Sequence, residues 1–180
     1  MPKLLVAAGA VALILTMTGC GDPPPPVTPT PTSSAAPVFA SDEEALAAAE
    51  ESYRAYTEVA DQIFHEGGAD PDRLTAVATG DFLDASIAGF ENVREKGWHS
   101  IGHSTFDSLE LQRIDSSPSG IVSAYLCGDV SGVEVVDSDG VSVVAADRPD
   151  RTYFEVIFDL DVATGRLLVA SRQVWGDGKC

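Results

Sequence analysis

The chain has 180 residues, with 28 Asp and Glu against 11 Lys and Arg and a formal charge of −17. That balance repels nucleic acid and anionic membrane surfaces, so neither is expected as an electrostatic partner. An acidic surface also keeps an exported protein soluble and needs no partner to explain it. At the N-terminus Met1-Pro2-Lys3 precedes an apolar run from Leu4 to Leu15. Crossing roughly 30 Å of hydrocarbon takes about 20 apolar residues, so this run has the length of a signal-peptide core and not of a membrane span.

The run closes on Met17-Thr18-Gly19-Cys20. This stretch resembles the lipobox of bacterial lipoprotein precursors, which place Leu, Ala or Ser, Gly or Ala, then Cys at the cleavage point; Met17 stands where the family has Leu. The resemblance implies a signal peptide over residues 1–19, a diacylglycerol on the Cys20 sulfur, and a protein held outside the cytoplasm on the cell membrane. Two acyl chains, at about 0.8 kcal/mol per buried methylene, hold far more firmly than one. The alternative is ordinary secretion, with Cys20 free or disulfide-bonded. Residues 20–37 are rich in Pro, Thr and Ser and carry a single charge, Asp22. Such a segment has too little apolar surface to offset the entropy of ordering and reads as an extended stalk, suited to O-glycosylation.

With Cys20 assigned to lipid by that resemblance, Cys127 and Cys180 have one pairing left, and an exported location permits the bond. A redox-active pair would want a Cys-x-x-Cys spacing, which is absent. Residues 38–180 have the usual size of one domain with one core.

Ser41-Asp42-Glu43-Glu44 is a capping box that opens a helix. Leu46, Ala49, Tyr53, Tyr56, Ala60 and Ile63 recur at spacings of three and four, giving one apolar face until Gly67 and Gly68 stop it. Asp70-Pro71 starts a short helix that Gly80 ends. A further helix runs from about Asp81 to Lys96, with Phe82, Leu83, Ile87, Phe90 and Val93 on its buried face and Gly97 as its cap. Beyond Gly97 the texture is that of strands: 98–114, 120–130, 133–145, 151–161 and 166–175. Asp137-Ser138-Asp139-Gly140 makes the third a hairpin. In the fifth segment's predecessor, 151–161, Phe154, Val156, Phe158 and Leu160 share one face.

Helices followed by an antiparallel meander predict an α+β layer, with N-terminal helices packed on a curved antiparallel sheet. This order of elements resembles the nuclear transport factor 2-like cone, a superfamily that includes ketosteroid isomerases and polyketide cyclases. The chain is also similar to small lipoproteins of high-GC Gram-positive bacteria without an established activity. That likeness rests on the acidic first helix, Gly97-Trp98, Leu126-Cys127-Gly128-Asp129-Val130-Ser131, Asp147-Arg148-Pro149-Asp150-Arg151 and the terminal cysteine. The cone resemblance implies a pocket between sheet and helices, whose expected lining is Tyr53, Tyr56, Phe90, Trp98, Phe154 and Phe158. Enzymes of the superfamily place Asp, His or Tyr there, where desolvation raises a carboxylate's pKa. The polar candidates in this chain are Tyr53, Tyr56, His99, His103, Asp107 and Gln173, and spacing brings no two of them together.

His99 and His103 are four apart, but in a strand that spacing spans about 13 Å, too far for one zinc ion. Asp137 to Gly140 departs from a calcium loop, since glycine is fourth rather than sixth and Arg148 falls at the twelfth position. No motif implies a metal, a cofactor or a catalytic residue. The expectation is a non-enzymatic, lipid-anchored module that binds a protein, a peptide or a small envelope ligand. The alternative is an isomerase, dehydratase or cyclase with its site in the cone.

Overall fold

Ser41 caps the first helix as its hydroxyl chemistry requires: its backbone is extended and its Oγ accepts the Glu44 amide at 3.2 Å. Glu44 returns a bond one residue further out than the box pattern, accepting the Ala40 amide at 2.6 Å. Helix α1 spans Asp42–His65, in a computed structural model that describes residues 38–115, 121–176 and Cys180. The leader, the stalk and Cys20 lie outside the described residues, which belong to one compact unit, Ala35–Cys180.

The buried stripe of α1 is Ala45, Ala49, Ser52, Tyr53, Tyr56 and Ile63, whereas Leu46 and Ala60 are half-buried. The stripe is shifted from the expected one because small residues let α1 sit close on the sheet, where the Ser52 hydroxyl donates to the Leu167 carbonyl at 2.8 Å. After Gly67, Gly68 takes a φ of 78° and passes against the helix that carries Phe90. A Cβ there would lie 2.2 Å from the Phe90 carbonyl oxygen, so only glycine allows the approach.

Pro71–Ala76 forms the short helix, as a 3-10 turn. Asp70 does not cap it through its side chain and instead adopts a left-handed backbone, with Arg73 bonded to its carbonyl and to Glu66. Helix α2 spans Gly80–Lys96 and ends on Gly97 at a φ of 67°. No α2 residue is fully buried; Phe82, Leu83, Ile87 and Phe90 lean on the core and Val93 is half-buried.

Six strands follow: β1 His99–Ile101, β2 Thr105–Asp115, β3 Ile121–Asp129, β4 Glu134–Val136, β5 Arg151–Asp161 and β6 Arg166–Val174. Strands β2, β3, β5 and β6 make an antiparallel meander in that order, and β1 pairs with β4 in a separate ribbon. The expected strand over 98–114 is thus two, broken at Gly102 with a φ of 84°. The segment 133–145 is strand only at β4, with a bridge from Val136 to Ser142 closing its hairpin. In that turn Asp137 Oδ1 accepts the amides of Asp139 and Val141, each at 2.9 Å, which occupies the oxygen a cation would use.

The helices cover one face of the meander. Val122, Ala124, Leu126, Val156, Phe158 and Val169 are fully buried there against Ala45, Ala49, Ile63 and Leu74, so the architecture is α+β with helices N-terminal to the sheet. On the opposite face Cys127 is bonded to Cys180, with Cα atoms 5.5 Å apart. Arg151 ties three strands together, bonding both oxygens of Asp107 and, at 2.8 Å, Asp129 Oδ2. In the charged run from Asp147 to Arg151, these two salt bridges are made by Arg151 to residues outside the run, while Arg148 donates to the Val130 and Val133 carbonyls.

Candidate functional site

At the end of the sheet where β2 and β5 begin and β3 and β6 finish, α1 and α2 leave a cavity of about 490 Å³. It stays open because residues facing it are small: Ala60 on α1, Ser86 and Gly89 on α2, and Gly128 on β3. Its wall rings are braced by edge-to-face and tilted ring contacts. Tyr53 meets Phe106 with centroids 4.9 Å apart, Tyr56 meets Phe82 at 5.3 Å, and Phe64 meets Phe90 at 5.9 Å. Phe154 lies over Gly128, where an added Cβ would be 2.9 Å from the ring.

Of the residues expected to line a pocket, Tyr53, Tyr56, Phe90 and Phe154 face this cavity. Phe158 shares the face of Phe154 but lies deeper along β5, fully buried in the core. Trp98 lies elsewhere, beneath the Lys96 ammonium, 4.2 Å from its ring. Gln173 pairs with Glu155 on the outward side of the sheet, and its neighbour Arg172 takes the inward position opposite Val156.

The reversal has a local cause. Leu167 and Val169 oppose Leu160 and Phe158 on the core face, but the register then slips, Ala170 is left as an extra residue, and Ser171 opposes Ile157. Arg172 is thereby turned into the cavity, its guanidinium carbon 4.9 Å from the Phe154 ring centroid and 5.9 Å from that of Tyr56. Tyr53 lines the same cavity beside it. A second arginine, Arg148, donates to the carbonyls of Val130 and Val133 at 3.0 and 2.8 Å, and its buried Nε has no partner.

Titratable groups of the lining, Tyr56 and Asp129 among them, are shifted from their ordinary values. Burial pushes the Tyr56 hydroxyl up from its ordinary pKa, so it stays a neutral donor. Asp129, the carboxylate among the lining residues, is held down to about 2 by the Ser131 hydroxyl and amide and by Arg151. A general base in a dry pocket needs the opposite shift.

A second concavity, a groove of about 750 Å³, runs between α1 and the start of β2. Asp61 accepts the Ser104 amide at 2.9 Å and its hydroxyl at 2.7 Å, with His103 Nδ1 3.6 Å away. His65 donates from Nε2 to the Gly102 carbonyl and its ring lies 5.0 Å from that of His103. These contacts pin the β1–β2 corner to α1. His99 is remote from them in the ribbon, paired with Val136. Among the described residues no three His, Cys, Asp or Glu are placed to hold a metal ion.

No family model matches the chain, and no curated protein matches it. Among solved structures, the intermembrane space region of chloroplast protein ARC6 is similar with a TM-score of 0.53 and 12% identity, over 73% of this chain and 97% of that one. A 2.5 Å structure from Catenulispora acidiphila has a TM-score of 0.44 and 18% identity, over 74% of this chain and 94% of that one. The first likeness concerns the fold, helices preceding an antiparallel sheet.

Proposed function

We propose that the chain is a lipid-anchored, extracytoplasmic binding module whose cavity between α1, α2 and the sheet takes a small ligand. The observation that carries this reading is an aromatic-walled cavity of about 490 Å³ with a few convergent polar groups, within the range of small-molecule sites. The low pKa of Asp129 favours binding over the isomerase or cyclase alternative. The envelope location rests on the lipobox at Cys20 and agrees with a Cys127–Cys180 bond, which persists in oxidising compartments. No described helix is long and apolar enough to cross a membrane, so the anchor in this reading is the lipid.

Gly89 supplies the test. It lines the cavity, and an added Cβ would meet nothing within 4 Å. Gly89→Trp is expected to fill the space without unfolding the protein and to abolish uptake of 2-naphthamide, a neutral aromatic probe, by the full chain in nanodiscs. Equal uptake by the variant and the wild type rejects the cavity as the binding site.

A further inference from the structure

We infer that the cavity is a receptor for an organic carboxylate carried on an apolar or aromatic body, with the Arg172 guanidinium as its anchor. The inference rests on the binding reading above and specifies the ligand's chemistry.

Four observations converge on it. First, in a chain with 28 acidic residues, no carboxylate among the described residues pairs with Arg172 or Arg148. Arg151, by contrast, holds Asp107 and Asp129. Second, the β6 bulge puts Arg172 on the apolar face, where regular alternation would have placed it in solvent. A cation is costly beside buried rings unless something compensates its charge.

Third, Arg172 is surrounded by protein atoms yet remains exposed. Those two facts together describe a side chain facing an open cavity. Its fork is free to receive two oxygens in one plane, the geometry a carboxylate offers and a neutral group does not. Fourth, the ligand body has a place. Tyr56, Phe90 and Phe154 supply ring surface, and the Tyr56 and Phe154 rings lie beside the Arg172 guanidinium. The buried, unpartnered Nε of Arg148 adds a second positive charge at the same cavity. Asp129 contributes a negative charge there, but Arg151 and Ser131 already engage it.

The chain's overall charge of −17 does not overturn this local balance. At physiological salt exposed charges are screened beyond about 8 Å, whereas a guanidinium in direct contact with the anion is screened little.

The test compares 2-naphthoate with 2-naphthamide, which share a shape and differ in charge. Affinities are measured calorimetrically with the full chain in zwitterionic nanodiscs, after subtraction of empty discs. Wild type is expected to prefer naphthoate by about tenfold or more, the scale of one charge-assisted contact. Arg172→Met is expected to remove the preference, with naphthoate losing far more affinity than naphthamide and the far-ultraviolet circular dichroism unchanged; Arg172→Lys retains part of the preference, which separates loss of charge from loss of fold. Equal affinity of the two probes for wild type, or a preference that survives Arg172→Met, overturns the carboxylate assignment and leaves the cavity reading intact. If neither probe binds wild type, the assignment and the cavity reading both fall.

Discussion

Gly102 ends β1 and swings the chain toward β2 at a φ of 84°. A Cβ added there would lie 1.9 Å from the Gly132 carbonyl oxygen, where real contacts begin at about 3.0 Å. Gly102→Ala therefore demands a backbone displacement of roughly 1 Å in a close-packed corner. The left-handed conformation costs a residue with a Cβ about 1–2 kcal/mol. Overpacking of this kind adds about 1–3 kcal/mol, so the variant is expected to lose about 2–5 kcal/mol. Gly140 provides the control, because it has a φ of 78° and nothing within 4 Å of its added Cβ. Gly140→Ala should lose only the conformational part, about 1–2 kcal/mol. Urea unfolding followed by far-ultraviolet circular dichroism reads both, provided the slopes agree. The Gly102 carbonyl also receives His65 Nε2, and Ser104 beside it is clamped by Asp61. Displacing the corner should consequently weaken uptake of naphthamide in Gly102→Ala and not in Gly140→Ala. Equal losses of stability in the two variants would refute the clash reasoning, and losses below about 0.5 kcal/mol in both would refute the conformational one.

Three further outcomes are expected. Cys127 and Cys180 are separated by 53 residues, so replacing both by Ser should cost up to about 4 kcal/mol in the chain-entropy account; a thiol titration of the unreduced, unfolded wild type that finds both cysteines free would reject the bond. The Ser131 hydroxyl and amide, together with Arg151, hold Asp129 at a pKa of about 2, and Arg151 lowers that of Asp107, each from an ordinary value of 3.8. Their stabilising contribution is therefore present above the unfolded pKa near 3.8 and is lost as pH falls toward 2. Urea midpoints at pH 7, 4 and 2 should converge for wild type and Arg151→Met only at the lowest pH, and a constant gap would contradict the assignment. Finally, Cys20→Ala should release the protein from membranes in cell fractionation; full retention would remove the lipid anchor from the proposed function.

What could be read in advance follows from the range of the forces involved. Helix ends were legible because their signals are local: Ser41 with Glu44 opens α1, Gly97 closes α2, and neither depends on a distant partner. The face of β5 was legible for the same reason, since alternation puts Phe154, Val156 and Phe158 on one side. Depth along a strand is not local. Phe154 and Phe158 share a face and lie about 13 Å apart in β5, so one borders the cavity and the other fills the core. Trp98 sits beside a strand that joins the small ribbon and not the meander, a pairing choice made with β4 some 35 residues later. Arg172 is the sharpest case. The run Leu167, Val169, Ser171, Gln173 alternates without a break, and the bulge at Ala170 carries no glycine to mark it. Only pairing with β5 reveals the slip, because the core must keep Val169 opposite Phe158 while the strand ends keep Val174 opposite Phe154. Those two constraints are met by expelling one residue from the ladder, and expelling it is what turns an arginine toward the rings. The cavity's charge thus depends on long-range register, which the sequence of β6 alone does not carry.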